Sequence, residues 1–384
     1  MSTPVLRRRF LQSACVAGLA SLAGCSLSES GGTGSAASST GVPTFQYNSA
    51  RTGGSPNATG PTDSVTERWA VQTDGGIGKS LAVVDDTVYI GSGKSVYALA
   101  ASDGTDRWTF ETDGAVGSSP AVVDDTVYVG SSDNTVYALA ASDGSEQWSF
   151  ETGLFVQSSP AVVDDTVYIG SGDGHLYALD AADGTEQWSF DVGFSADASP
   201  AVVDDTVYIG SGNTAYALDA TDGTEQWSFN ISSIGNATPA VIDETVYLRQ
   251  DETIQALDGA DGTEQWTFET DDLVGAVGMA PPAVADDTVY AGSGKSVYAL
   301  AASDGSEQWS FETGRVVRSS PAVTDDSVYV GGADGTVYGL TASDGTEQWS
   351  FTTGDTTVAS SPVVVDGTVY VGSSDGTVYA LNEL

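Results

Sequence analysis

The sequence predicts an all-β fold, an eight-bladed β-propeller of four-stranded blades, and two observations carry that prediction. Tryptophan recurs eight times at intervals of 39 to 43 residues, at Trp69, Trp108, Trp148, Trp188, Trp227, Trp266, Trp309 and Trp349. A fixed period of that size is typical of repeat architectures. Each unit also contains four short runs rich in Val, Ile, Tyr, Trp and Phe, separated by Asp-Asp, Gly-Ser and Asp-Gly pairs. This is the pattern of a four-stranded antiparallel blade.

The two ends of the repeat region are complementary. The last unit has three strand-like runs, ending in Val378–Leu381, and lacks its Trp-bearing strand. The first Trp strand, Glu67–Val71 around Trp69, has no three strands before it. We therefore predict that the Trp69 strand completes the last blade and closes the ring, which removes an open interface between the first and last blades.

Two repeated features admit a structural and a functional interpretation. The tryptophans form either a cofactor platform or interblade packing, and their shared repeat position favours packing, because a buried Trp removes about 150–250 Å² from water. The Asp-Asp-Thr turns, such as Asp124-Asp125-Thr126, are either hairpins or calcium sites. They lack the spacing of an EF-hand loop, which favours hairpins.

The repeats resemble the pyrroloquinoline-quinone-like (PQQ-like) propeller family. Its fourth-strand motif, Ala-x-Asp-x-x-Thr-Gly-x-x-x-Trp, is matched by Ala178, Asp180, Gly184 and Trp188, with Asp183 in the Thr place. The stretch 45–53 is similar to the segment that precedes such propellers in exported archaeal proteins. The resemblance covers residues 44–384. It implies one of two functions, a quinoprotein dehydrogenase or a non-enzymatic scaffold similar to the outer-membrane assembly lipoprotein BamB.

The N-terminus predicts export. Residues 1–24 combine Arg7-Arg8-Arg9 with a short apolar run and small residues, which is typical of a signal peptide rather than a membrane span. Arg7-Arg8-x-Phe10-Leu11 resembles a twin-arginine signal. The run that ends in Cys25 resembles a lipobox, which implies cleavage before Cys25 and lipid attachment to it; the alternative is an incidental cysteine. Residues 25–43, rich in Ser, Gly and Thr, are predicted to be a flexible tether. We expect the protein at the cell surface, anchored to the outer side of the cytoplasmic membrane.

Charge and cysteine content restrict the function further. The chain has 12 basic and 53 acidic residues, and removal of the signal would leave nine basic and 53 acidic residues, a net charge of −44. In molar salt the Debye length is about 3 Å, so such repulsion is largely screened. The surface resembles that of halophilic archaeal proteins, and the charge excludes nucleic acid as a partner. With Cys15 removed, the mature chain has no internal disulfide, and we expect a monomeric propeller stabilised by packing.

Comparison of the units with one another indicates a binding face. The Asp-Asp and Asp-Gly hairpins hardly vary, whereas the connections between the second and third strands, and those between blades, differ strongly. Variable loops on a rigid scaffold are typical sites of recognition, although unconstrained drift would give the same pattern. The predicted binding residues are Lys79, Lys94, Gln157, His175, Asp197, Asn236, Arg249, Lys295, Arg315 and Arg318. Within this set, Lys79, Arg315 and Arg318 are predicted to form a basic arc near the central channel.

The sequence favours a scaffold over an enzyme. It has no vicinal cysteines, no inserted Glu-Asn-Asp set for calcium, no nucleophile elbow and a single histidine, so no catalytic residues, metal or cofactor are predicted. We expect a non-catalytic, lipid-anchored extracellular propeller that binds an envelope protein or ligand. The alternative is a PQQ-dependent sugar or alcohol dehydrogenase, with PQQ and calcium bound. A third interpretation is a surface sensor or adhesion module, glycosylated at Asn57, Asn230 or Asn236.

Overall fold

A computed structural model of the chain describes residues 41–42, 46, 48, 51, 53, 58–231, 237–250, 252–270, 280–354 and 357–384. These residues belong to one compact unit, Gly34–Leu384. Their secondary structure consists of strands grouped in eight antiparallel sheets, which confirms the predicted eight-bladed propeller. No helix in the described ranges is long and apolar enough to span a membrane.

Two strands precede the repeats, β1 (Gly41–Val42) and β2 (Val65–Gln72). Blades 1 to 4 then comprise β3 (Ala82–Val84), β4 (Thr87–Ser92), β5 (Ser95–Ala100) and β6 (Asp106–Glu111); β7 (Ala121–Val123), β8 (Thr126–Gly130), β9 (Thr135–Ala140) and β10 (Glu146–Glu151); β11 (Ala161–Val163), β12 (Thr166–Gly170), β13 (His175–Asp180) and β14 (Glu186–Asp191); β15 (Ala201–Val203), β16 (Thr206–Ser211), β17 (Thr214–Asp219) and β18 (Glu225–Asn230).

Blades 5 to 8 comprise β19 (Ala240–Ile242), β20 (Thr245–Gln250), β21 (Thr253–Asp258) and β22 (Glu264–Glu269); β23 (Ala283–Ala285), β24 (Thr288–Ser293), β25 (Ser296–Ala301) and β26 (Glu307–Glu312); β27 (Ala322–Val323), β28 (Ser327–Gly331), β29 (Thr336–Thr341) and β30 (Glu347–Thr352); β31 (Val363–Val365), β32 (Thr368–Gly372) and β33 (Thr377–Glu383). Within each blade the strands pair in chain order. The first strands of successive blades contact one another, so they line the centre of the ring.

Blade 8 is completed by the N-terminal strand. β2 pairs antiparallel with β33, from Val65 opposite Glu383 to Gln72 opposite Thr377, with an irregularity between Glu67 and Trp69. Every other blade has an irregularity at the same place in its outermost pair, as at Ala178/Leu179. The predicted closure of the ring by the Trp69 strand is therefore confirmed.

The tryptophans link each blade to the next, as predicted from their shared position. The indole Nε1 of each Trp donates to a backbone carbonyl of the following blade, and the acceptors, taken from Trp69 to Trp309 in order, are Ala101, Ala141, Ala181, Ala220, Gly259, Ala302 and Ala342. The blade that follows Trp349 is blade 8, in which β33 and β2 are not joined by a hairpin. Trp349 therefore donates instead to Pro61 O, at 2.8 Å. The segment before β2 thus supplies the acceptor that the circular pattern requires.

The core is divided among the blade interfaces. Between blades 3 and 4, for example, Trp188 and Leu176 pack against Val207, Ile209 and Leu218. Each Asp-Gly turn also contributes to the interface before it, because a Cβ on Gly144 would lie 2.6 Å from the Trp108 ring and its φ is +72°. Glycine is therefore required there for both conformation and packing.

A buried tyrosine on the second strand shares the carbonyl used by the Trp of its own blade. Tyr168 and Trp188, for example, both donate to Ala220 O. Burial raises the pKa of the tyrosine at this position in every blade, namely Tyr89, Tyr128, Tyr168, Tyr208, Tyr247, Tyr290, Tyr329 and Tyr370. Each of the eight tyrosines lies at an interface between neighbouring blades, so deprotonation of any of them would place a charge in such an interface.

We expect stability to fall steeply above about pH 10, the ordinary pKa of tyrosine. Because the folded-state pKa values are raised, the folded protein retains protons that the unfolded chain has released, and this stabilisation is lost as pH rises through the folded values. Thermal unfolding followed together with tyrosinate absorbance between about pH 8 and pH 11 checks this. Smooth tyrosinate formation near pH 10 with an unchanged melting temperature would contradict it.

A belt of hydroxyl groups joins the blades around the central channel. The backbone N–H groups of Ser80, Ser119, Ser159 and Ser199 each donate to the Ser or Thr hydroxyl at the equivalent position of the next blade, at 2.9–3.0 Å. Ser320 N donates to Ser361 Oγ in the same way. The hydroxyl of Ser320 itself is buried without a partner, because the equivalent residue of the preceding blade is Pro281, which has no N–H.

The N-terminal segment occupies the central channel. β1 pairs with the innermost strand of blade 1, Gly41 opposite Val84 and Val42 opposite Val83. Gln46 Nε2 donates to Pro282 O of blade 6, and Gly53 O accepts from Val323 N of blade 7. β1 thus lies inside the segment predicted to be a tether, and β1, Gln46 and Gly53 contact the inner strands of blades 1, 6 and 7.

Arg51 is the most deeply enclosed large side chain of this segment, with no exposed surface. Its guanidinium donates to Pro200 O at 3.0 Å, Ser159 O at 2.9 Å and Pro160 O at 2.8 Å, so it joins blades 3 and 4. Burial lowers the pKa of Arg51 to about 9. Backbone carbonyls at the start of two inner strands thus solvate the buried guanidinium. The sequence alone does not distinguish Arg51 from a surface arginine.

Candidate functional site

The meander of each blade separates its connections onto two faces. Because successive antiparallel strands reverse direction, the first and third connections of a blade lie at one end, and the second connection and the link to the next blade lie at the other. We name the first end the turn face and the second the variable face. This arrangement matches the two faces predicted from the repeats.

The turn face is uniform because its carboxylates shape the turns. In the first hairpins of blades 1, 2, 3, 5 and 6, both central residues have positive φ, for example +47° at Asp124 and +62° at Asp125, as type I′ turns require. In the other turn, Asp143 Oδ1 accepts from both Ser145 N and Ser145 Oγ. These donors lower the pKa of Asp143. Much of the acidic charge on this face therefore has a structural role.

The predicted binding residues lie at the variable face. Lys79, Gln157, Asp197, Arg315 and Arg318 are in links between blades, whereas Lys94, His175 and Lys295 are in or beside the second connection of their blades. Asn236 lies outside the described residues. The described members of the set therefore lie at one end of the blades, but they do not form one cluster.

One group forms at the axis. Lys79 Nζ donates to Gln157 O at 3.2 Å, which joins the link before blade 1 to the link before blade 3. Burial lowers the pKa of Lys79, and the nearby Asp197 carboxylate opposes that effect. Ser195 Oγ donates to Asp197 Oδ1 at 2.7 Å. Lys79, Gln157 and Asp197 are thus brought together on the side of blades 3 and 4.

The basic arc predicted from Lys79, Arg315 and Arg318 remains a prediction. The Lys79 ammonium points toward the links of blades 3 and 4, whereas both arginines belong to the link that enters blade 7. Arg315 is exposed, and Arg318 Nε is buried without a hydrogen-bond partner. Among the contacts of the described residues, none joins Lys79 to either arginine.

Two further predicted residues have local partners. Lys94 Nζ donates to Asp113 O at 2.8 Å. His175 Nδ1 lies 3.4 Å from Asp173 Oδ1, and its ring lies 5.8 Å from that of Tyr177. Within the described ranges, no three His, Cys, Asp or Glu side chains are grouped to hold a metal ion.

Blade 5 departs from the repeat at its variable end. Arg249 and Gln250 replace the Gly-Ser pair found at the end of β4, and Gln255 replaces a tyrosine. All three are buried, Arg249 being only 8% exposed. Gln250 Nε2 donates to Gln255 Oε1, and Gln255 Nε2 donates to Glu264 Oε2. Arg249 is therefore buried at the variable end of blade 5 rather than part of an open surface.

Two apolar side chains stand out on the same face, although the sequence analysis did not name them as binding residues. Leu154 is 47% exposed and Phe194 is 60% exposed. They hold equivalent positions, each following a glycine in the link before blade 3 or blade 4, and Arg315 holds that position before blade 7. Among the described residues the other large apolar side chain so exposed is the C-terminal Leu384. Apolar residues in a strand-rich repeat are expected in its core, so their residue types alone do not indicate that they are exposed.

Among the described residues, no group of carboxylates that could hold calcium beside a quinone is assembled. The channel below the axial group contains Gln46, Arg51 and Gly53 of the chain itself. Asp197 accepts from Ser195, and no second carboxylate accompanies it as part of a metal-ligand group in the described ranges. We therefore derive no chemical step through a quinone.

Comparison with known proteins identifies relatives in two functional classes. The family described as outer membrane protein assembly factor BamB matches residues 61–192, 172–295 and 272–384. No curated protein matches the chain. BamB from Moraxella catarrhalis is similar in structure, with a TM-score of 0.69, 20% identity, and coverage of 83% of this chain and 97% of that one.

Two dehydrogenases share the same fold. A europium-containing methanol dehydrogenase has a TM-score of 0.78 and 14% identity, with coverage of 89% of this chain and 98% of that one. The quinohemoprotein alcohol dehydrogenase ADHIIG from Pseudomonas putida HK5 has a TM-score of 0.76 and 17% identity, with coverage of 89% and 80%. At these identities the likeness establishes the fold and leaves the activity open.

Proposed function

Because the chain belongs to the family of outer membrane protein assembly factor BamB, we propose that it is a non-catalytic binding scaffold of the cell envelope. Its partner binds at the variable face, on the side of blades 3 and 4. The single observation that carries this proposal is the exposure of Leu154 and Phe194 at equivalent positions of neighbouring links. A role in outer-membrane assembly is not carried over, since the acidic composition resembles that of archaeal surfaces.

The axial group supports the same side of the face. Gln157 and Asp197 follow Leu154 and Phe194 by three residues in their links, and Lys79 reaches them from the link before blade 1. His175 belongs to blade 3, between those two links. Four residues predicted from the sequence therefore lie in or beside the links that carry the two exposed apolar side chains, which gives a mixture of apolar and polar groups of the kind found at protein interfaces.

The location of the scaffold is inferred from the sequence alone. The twin-arginine pattern at Arg7-Arg8 and the lipobox before Cys25 support export and attachment to the outer side of the cytoplasmic membrane. Both motifs lie outside the described residues. A halophilic environment is supported by the net charge of −41, because molar salt screens the repulsion between the carboxylates.

A photoreactive amino acid at position 154 tests the scaffold in cells. We expect ultraviolet light to give one discrete cross-linked species from position 154 and none from position 102, an exposed site on the turn face. The comparison with position 102 distinguishes a cross-link to a specific partner from cross-links to any protein crowded at the membrane. Equal adducts from both positions, or none from position 154, would argue against binding through the variable face.

The second candidate function is a PQQ-dependent alcohol or sugar dehydrogenase, favoured by the structural likeness to two dehydrogenases. Titration of the folded protein with PQQ, in molar salt with calcium, followed by tryptophan fluorescence, separates the two. A scaffold gives no saturable change. Saturable binding of one PQQ per chain at micromolar concentration or tighter would support the enzyme and justify a substrate screen.

A further inference from the structure

We propose that the blade 3 end of the variable face, formed by Leu154, Phe155, His175 and Phe194, docks a polypeptide segment that presents apolar side chains between lysine or arginine residues. We name this surface the blade 3 patch. The inference rests on the proposed function, because it assigns a chemistry to the partner of that same face.

The apolar side chains of the patch flank one connection of blade 3. Leu154 and Phe155 belong to the link before β11, and Phe194 belongs to the link after β14. The connection between β12 and β13 lies between these two links, since Gly172 N donates to Phe155 O, and a Cβ on Gly174 would lie 3.2 Å from Phe194 O. Single exposed apolar residues are ordinary on protein surfaces, but here two of them, Leu154 and Phe194, stand at equivalent positions on either side of one connection, which favours an interaction site.

Glycines hold both aromatic rings in place. A Cβ on Gly172 would lie 2.7 Å from the Phe155 ring, and a Cβ on Gly212 would lie 2.5 Å from the Phe194 ring. Each ring therefore packs directly on backbone, which restricts its movement before any partner arrives. Side chains ordered in advance lose less conformational entropy on binding, and this favours affinity from a small area.

The charges next to the patch are acidic. Glu151 and Asp191 are exposed at the ends of β10 and β14, three residues before Leu154 and Phe194 respectively. Asp173, between Gly172 and Gly174, holds its carboxylate against Tyr177 and His175. A cationic segment gains favourable charge pairing here and cation–π contact with Phe194, whereas an acidic segment is repelled.

The surface fits a polypeptide better than a small molecule. Small ligands bind in concave sites that enclose most of their surface. Two small depressions at blade junctions, lined in part by Asp86 and Asp366 or by Asp164 and Asp204, lie at the turn face and do not include the patch. The patch is instead made of the outer parts of loops, to which an extended segment can be applied.

The test uses three fluorescent heptapeptides and the full chain, at a salt concentration where circular dichroism reports a folded protein. One peptide alternates lysine with phenylalanine and leucine, the second replaces lysine by glutamate, and the third replaces the apolar residues by serine. We expect the lysine and apolar peptide to bind at least about tenfold more tightly than either of the others by fluorescence anisotropy. Leu154→Ser combined with Phe194→Ser should weaken it about tenfold, and Leu384→Ser, which removes an exposed apolar side chain at the end of β33 on the turn face, less than about twofold.

Equal binding of the serine peptide, or unchanged binding to the double variant, would overturn the inference, because bulk acidity would then explain the attraction. If the double variant is unfolded, Phe194→Ser alone and a cross-link map of the peptide on the wild-type chain decide the question. Cross-linking from position 154 in cells reports the proposed function independently. A discrete cellular adduct without peptide binding would therefore reject only the chemistry assigned here to the partner.

Discussion

Replacing Arg51 with alanine is expected to lower the free energy of unfolding by about 3–5 kcal/mol. The substitution removes a wholly buried side chain and leaves Pro200 O, Ser159 O and Pro160 O without the donors they have in the channel. Both effects act together, since a cavity remains where the guanidinium lay and buried carbonyls lose their hydrogen bonds. Urea or thermal denaturation at fixed salt measures the change.

The matched control is Arg68→Ala, which removes an exposed arginine from β2. Surface substitutions of this kind usually change stability by no more than about 0.5 kcal/mol. An Arg51 variant that unfolds within about 1 kcal/mol of the wild type would mean that the segment contributes little to holding the ring together.

A chain that begins at residue 73 is expected to lose cooperative unfolding, whereas one that begins at residue 58 retains it with reduced stability. Both lack Arg51, and they differ in β2 and the Pro61 segment before it. Removal of β2 takes away the register pairs with β33 and the packing of Trp69, and deletes the acceptor for Trp349 at Pro61 O. Loss of one buried Trp alone typically costs about 3–5 kcal/mol, against a total domain stability of about 5–15 kcal/mol.

Nested truncations analysed by circular dichroism and thermal unfolding measure this difference. A synthetic peptide of residues 61–73, added in trans to the shorter chain, should restore a cooperative transition, because the missing strand is recruited at the open edge of β33. A cooperative transition in the shorter chain without the peptide would show that seven complete blades and three strands are sufficient.

Features that repeat could be predicted from the sequence, and features that occur once could not. The eight tryptophans fixed the number of blades and the interblade position of each indole, because every unit supplies the same evidence. Arg51 gave no such evidence. It lies in a Gly-, Ser- and Asn-containing stretch, and arginine in such a stretch is ordinarily exposed. Its burial depends on a channel that exists only after the ring has closed.

The same distinction applies to the candidate site. The variable face followed from comparing the units, but the reach of Lys79 to Gln157 depends on packing across a neighbouring link. The burial of Arg249 could not be predicted either, because no other blade has an arginine at that position for comparison. Leu154 and Phe194 differ from expectation in the opposite direction to Arg249. An apolar residue in the sequence indicates a core position, and only the loop geometry leaves these two side chains exposed.

The segment in the channel also has a consequence for how many blades the chain can form. The interblade contacts of Trp and carbonyl are nearly the same at every junction, so they provide little basis for preferring eight blades over seven or nine. The described residues between Gln46 and Pro61 contact blades 3, 4, 6, 7 and 8. A ring of another size has a channel of another width, in which one short segment does not reach all of these carbonyls. The contacts of this segment therefore favour a ring of eight blades. If a blade were duplicated or lost in evolution, the length of the segment would have to change with it.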